Sequence, residues 1–233
     1  MLLDTDEVYE RYLRFRAVGK KLHTELVPLL RRKEIFRCAK ELGLLRKKTL
    51  IFADENDLSV LMDYCIHNPS GGKSCIDIHI ERSSPEPDSD EMMSLLALRE
   101  SFFSILRLTG IEKGFLCHAT DFLRSRNIVL IDVGFGATGQ PGVMLSTQLK
   151  RLPGTEYYMT TGAPMLISES HAIDELNTIL MTFREPISNG SLSRAQSAYI
   201  CKRATRSLLR QDNSGLMLAD PDMNEGALQG SAI

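Results

Sequence analysis

Little charge of either sign is left over in this chain: 28 Lys and Arg stand against 30 Asp and Glu in 233 residues, a formal net charge of −2. A protein that is basic overall is excluded, so any nucleic-acid contact would have to come from a local patch. Long apolar runs are also missing. The longest stretch without a formal charge, Val133 to Leu149, carries glycines, glutamines, threonines and a proline, which no bilayer-spanning helix of about 20 apolar residues would hold. No membrane association is expected. Met1-Leu2-Leu3 runs into Asp4, Asp6, Glu7 and Glu10 with no positive segment before an apolar one, so no export signal is expected. Cysteines are few and odd in number (Cys38, Cys65, Cys75, Cys117 and Cys201), unlike the dense even set of a secreted disulfide scaffold, and a reducing cytoplasm is the expected setting. The short signatures of catalysis are absent: no H-E-x-x-H, G-x-S-x-G or C-x-x-C occurs.

What is present is the composition of a globular protein, 43% hydrophobic and 25% charged, long enough to bury an ordinary core without disulfide or metal. Val8, Tyr12, Phe15 and Leu22 share one face of a helix over residues 5–24. Pro28 breaks it, and Ile35, Cys38, Ala39 and Leu42 continue the periodicity to Gly43, giving a helical hairpin. A short apolar run from Thr49 to Ala53 precedes Asp54, a candidate N-cap for a third helix carrying Leu58, Leu61, Met62, Cys65 and Ile66. Ile76, Ile78 and Ile80 alternate with polar residues, a pattern open to a strand or a helical turn. Ser83 to Asp90, with two prolines and several acids, reads as a surface linker, and a helix is expected over 90–108.

Phe115–Ala119, Ile128–Val133, Val143–Leu149 and Tyr157–Thr160 read as four strands. Their connections are too short for crossover helices. Helices from Ser168 or Ser170 and from Ser193 to Arg210 follow, and Gln211 to Ile233 reads as a mobile tail. The expected fold is therefore α+β: N-terminal helices, a central four-stranded antiparallel β-meander or small barrel over 114–164, and C-terminal helices. The expected division is a mainly helical part over 1–82, an α+β part over 90–210 and the tail over 211–233, or one compact domain overall. Residues 1–50 hold 13 Lys or Arg against 7 Asp or Glu and residues 51–100 hold 3 against 11, so the two segments are expected to attract one another within the fold or across a dimer.

Gly134-Phe135-Gly136-Ala137-Thr138-Gly139 is a literal G-x-G-x-x-G after an apolar strand. Its continuation into Gln140-Pro141-Gly142 and a further strand makes it a hairpin loop rather than the helix start that would hold a pyrophosphate. Gly72-Lys73-Ser74 matches the end of a phosphate-binding loop, but His67 stands where its first glycine belongs. Cys65, His67, Cys75 and His79 are all competent zinc ligands within fifteen residues; their spacing is irregular, and Cys65 falls in phase with the apolar stripe of its helix. Glu169, His171, Asp174 and Glu175 gather at a helix start, where acids complement the dipole. Arg194, Lys202, Arg203, Arg206 and Arg210 give the last helix a basic stripe that could meet phosphates, an acidic partner, or the acids of Ser83 to Glu91.

Asp57-Leu58-Ser59-Val60-Leu61-Met62-Asp63-Tyr64-Cys65, Asp88-Ser89-Asp90-Glu91-Met92, Ile131-Asp132-Val133-Gly134-Phe135 and Met159-Thr160-Thr161-Gly162-Ala163 resemble an uncharacterised family of bacterial proteins over residues 8–200. The resemblance implies a bacterial cytoplasmic setting and carries over no activity, cofactor or site residue. On these grounds the chain reads as a non-enzymatic binding or regulatory module without a cofactor, acting on a protein partner or by self-association. The alternatives are a zinc hydrolase built on Cys65, His67, Cys75 and His79, and nucleic-acid binding through the basic C-terminal helix.

Overall fold

The structure, a computed structural model, describes residues 4–162, 164–168, 170–209 and 217–219. Helix α1 (Thr5–Leu26) starts at a capping box in which Asp4 and Glu7 exchange side-chain and backbone bonds. Pro28 sets a 3-10 turn at Val27–Leu29 before α2 (Arg32–Leu42), which ends on Gly43 at φ 83°, a left-handed conformation that favours glycine. A hairpin of β1 (Leu45–Arg46) and β2 (Thr49–Phe52) leads into α3 (Glu55–His67), where the Asp54 carboxylate accepts the amides of Asn56 and Asp57. Then come α4 (Cys75–Ser83) and α5 (Asp90–Arg99). The open choice at Ile76–Ile80 falls to helix, because Ser74 and Asp77 form a capping box ahead of it.

The helix expected over 90–108 stops at Arg99, and Phe102–Glu112 forms β3 instead. This strand bonds to neighbours on both edges, partners that local periodicity cannot reveal. Strands β4 (Leu116–Asp121) and β5 (Arg126–Ile131), the short helix α6 (Val133–Thr138), then β6 (Met144–Arg151) and β7 (Tyr158–Thr160) complete a ring. Its order is β3-β4-β5-β7-β6 and back to β3. Every pairing is antiparallel except β5 with β7, which is parallel. The central element is thus a closed five-stranded mixed barrel rather than a four-stranded antiparallel meander, because β3 supplies the strand that closes it. A short β8 (Met165–Leu166) adds to β6, followed by α7 (Ser170–Thr182), α8 (Arg184–Ser188) and α9 (Arg194–Leu208). Within 211–233, read as a mobile tail, Met217–Ala219 forms β9, paired antiparallel with β2; the rest of that stretch lies outside the described residues.

Alternation along each strand sorts the core. Leu106, Leu108, Cys117, Ala119, Ile128, Leu130, Leu145, Leu149 and Tyr158 fill the barrel. On its outside, Leu116, Ile131 and Met159 pack against Val8, Tyr12 and Phe15 of α1. Ile105 instead meets Leu176 and Ile179 of α7 and Ile200 and Ala204 of α9. A separate cluster joins α2 and α3 through Cys38, Leu42, Leu61 and Cys65. The attraction expected between the first two charge segments is realised where α1 crosses α5, at Arg14–Asp90 (3.1 Å) and Lys21–Glu91 (3.6 Å). No helix among the described residues is long and apolar enough to cross a membrane.

Candidate functional site

Where α3, α4, the start of β3 and α9 meet, the chain leaves an open cleft of about 970 Å³. Its wall carries Arg37, Arg99, Arg124, Arg194 and Lys202 against only Glu41 and Asp77. Three of the cations are engaged: Arg37 with Glu41 at 2.8 Å, Arg99 with Asp77 at 3.9 Å, and Arg124 with the fully buried Asp121 at 3.5 Å. Arg124 also stacks 3.8 Å over the Phe102 ring, and its burial pulls the guanidinium pKa down from the usual value. Arg194 and Lys202 form no ion pair among the described residues. Between them on α9 stands Tyr199, 41% exposed, with Lys202 5.7 Å from its ring centre. Arg203, itself paired with Glu175, lies 5.7 Å from the same ring centre and donates to the Tyr199 hydroxyl at 2.8 Å. Cations around an exposed ring suit an anion attached to a flat group.

A hydrogen-bonded chain runs inward from the cleft. Gln148 Nε2 donates to Ser101 Oγ at 3.0 Å, Ser101 Oγ lies 2.9 Å from His67 Nδ1, and His67 Nε2 is 3.5 Å from Asp63 Oδ1. Thr161 Oγ1 donates to the same Asp63 oxygen at 3.2 Å. His23 of α1 faces this group; its pKa is lowered chiefly by burial, with Asp63 opposing and His67 reinforcing the shift. Asp63 and His67, four apart on α3, share a face that the sequence displays. Ser101 lies in the link just before β3 and Gln148 on β6, far along the chain from α3, and no local pattern marks them.

The four cysteines and histidines of the candidate zinc set go to different places. Cys65 packs beside Cys38 as a free thiol in the α2–α3 core, and a hydrogen bond with Cys38 together with burial pushes its thiol pKa up. Cys75 packs with Leu22 and Leu95, its pKa raised by burial to about 11. His67 joins Ser101 and Asp63, and His79 faces Glu25 and Glu91. Among the described residues, no three of these four bring ligand atoms within 4.8 Å of one another. Cys117 lines the barrel interior.

The glycine motif also sits differently from the hairpin loop expected. Val133–Thr138 is a turn and a half of helix, because Asp132 caps it by accepting the Phe135 amide at 3.0 Å. That carboxylate already occupies the helix start, where a phosphate would need free amides. Gly136 serves packing: a Cβ there would lie 1.8 Å from the Gly114 carbonyl oxygen. In Gly72-Lys73-Ser74, Lys73 pairs with Glu81 at 2.6 Å and Ser74 caps α4.

The basic stripe of the last helix is divided. Lys202 faces the cleft, Arg203 is bound to Glu175, and Arg206 lies against Gly43 at the end of α2, where a cation complements the helix dipole. The acids of Ser83 to Glu91 turn instead to α1, through Asp90 and Glu91. Asp174 is exposed, whereas Arg210, Glu169 and the His171 side chain lie outside the described residues.

Barrels of the five-stranded OB type bind oligonucleotides on the face of their second and third strands. Here those strands are β4 and β5, and the Val8, Tyr12 and Phe15 side chains of α1 cover Leu116 and Ile131 on that face. No curated protein and no solved structure matches the chain. A family model described as a family of unknown function, DUF7986, matches residues 6–204, so the chain belongs to that family.

Proposed function

We propose that the protein is a non-enzymatic binding module of the bacterial cytoplasm whose cleft takes a small anionic ligand bearing a planar ring, the chemistry of a nucleotide. The observation that carries this reading is the excess of cations on the cleft wall, where Arg194 and Lys202 have no ion-pair partner among the described residues and Lys202 lies against the exposed Tyr199. A cleft of about 970 Å³ accommodates a ligand of that size. Five buried free cysteines agree with a reducing compartment. Titration calorimetry with ADP is the test. The wild-type chain is expected to bind one equivalent, and Arg194→Ala/Lys202→Ala to bind at least about tenfold more weakly, since a hydrogen bond to a charged group contributes about 1.5–3 kcal/mol. Equal binding by both proteins, or none by either, contradicts it.

The chain Ser101–His67–Asp63 favours a second reading, acyl transfer with Ser101 as nucleophile and His67 as base. The 3.5 Å gap to Asp63 is long for the bond that would orient the imidazole. A fluorophosphonate probe that labels the wild type and spares Ser101→Ala would favour it; absence of labelling in the wild type removes it.

A further inference from the structure

We propose that Glu25, His79 and Glu91 form a site for one divalent transition cation, zinc being the ion that suits one imidazole and two carboxylates. Each ligand comes from a different helix: Glu25 from the last turn of α1, His79 from α4 and Glu91 from the first turn of α5. Their three ligand atoms lie within 4.8 Å of one another. His79 is nine-tenths buried, and its Nε2 points between the two carboxylates, 3.3 Å from Glu91 Oε1 and 3.6 Å from Glu25 Oε2.

Those spacings are the ones a metal needs. With zinc–ligand distances of about 2.1 Å, the edge of a coordination tetrahedron is about 3.4 Å, and the two measured edges fall on either side of it. The outer oxygens of the same carboxylates, Glu25 Oε1 and Glu91 Oε2, each lie 3.6 Å from Lys21 Nζ. Lys21 therefore orients both carboxylates from the solvent side and leaves their inner oxygens facing the imidazole, the arrangement of an outer-shell partner. Both glutamates are partly exposed, which gives an ion a path in and leaves room for water as a fourth ligand. A bound ion would clamp α1, α4 and α5 together.

The experiment is calorimetric titration of the chelator-treated full chain with zinc sulfate, with magnesium chloride in parallel. One equivalent of zinc is expected, with affinity lowered at least tenfold in His79→Ala and in the isosteric Glu91→Gln. Lys21→Gln should bind zinc more weakly than wild type, since it removes the group that orients both carboxylates. The Cys38→Ser/Cys65→Ser chain should bind zinc like the wild type. Thermal melts without metal establish that each variant is folded. Absence of zinc binding, magnesium binding of equal strength, or binding that survives in Glu91→Gln and is lost in the double serine variant would each overturn the site. ADP titrations of the same proteins read the cleft independently.

Discussion

Lys150 lies on β6 with 2% of its surface exposed, and burial, reinforced by nearby Arg16, pulls its pKa down to about 8. In the unfolded chain the ammonium keeps a pKa near its ordinary value of about 10.4. Between those values the unfolded state holds a proton that the folded state has released, so stability rises as pH climbs through that window. Below pH 8 the full penalty applies, on the order of 3 kcal/mol. Lys150→Met should therefore stabilise the protein at pH 7 by roughly 1–3 kcal/mol and flatten the rise between pH 8 and 10, as read from urea melts at several pH values. A variant less stable than wild type at pH 7 would show that the ammonium is better compensated than its burial implies. Gly136 is the opposite kind of constraint: the atom that would meet an added Cβ is backbone and cannot swing away. Gly136→Ala should cost about 3 kcal/mol in the same assay, and a change within 0.5 kcal/mol would mean that the Gly114 turn yields.

At the scale of elements, α6 depends on one side chain. Asp132 accepts from the Phe135 amide at 3.0 Å and from Thr160 Oγ1 at 3.3 Å, so it both caps the helix and ties it to β7. Asp132→Ala should cost about 1–3 kcal/mol, and Asp132→Asn, which keeps an acceptor oxygen, should cost less; equal losses in the two would argue that charge rather than capping matters. The same element shows what a sequence can and cannot display. Helices α1, α2 and α3 are legible because each carries an apolar stripe, as with Val8, Tyr12 and Phe15, with Gly43 closing α2 and Asp54 opening α3. Strand β3 is not, since Ser101 to Leu108 also continues an acceptable helical pattern and only the pairings with β4 and β6 decide against it. The α6 turn hides behind its glycines, which disfavour helix locally but are required where Gly136 touches Gly114. The cleft was illegible for a related reason: its polar residues come from α3, β3, β6 and α9, and closure of the barrel brings them together.

For the whole molecule, the decisive arrangement is where charge is neutralised and where it is left over. Cations of α1 meet acids of α5, and Arg203 of α9 meets Glu175 of α7. Arg194 and Lys202 have no ion-pair partner among the described residues and line the cleft, while α1 packs over the outer face of the barrel at Leu116 and Ile131. Binding is thereby directed to the junction of helices and barrel. The most direct measurement is amide hydrogen exchange with and without ADP. The expected result is protection concentrated at residues 66–74, 98–103 and 194–202, which border the cleft. Unchanged exchange throughout, or protection centred on β4 and β5, would contradict a ligand site at that junction.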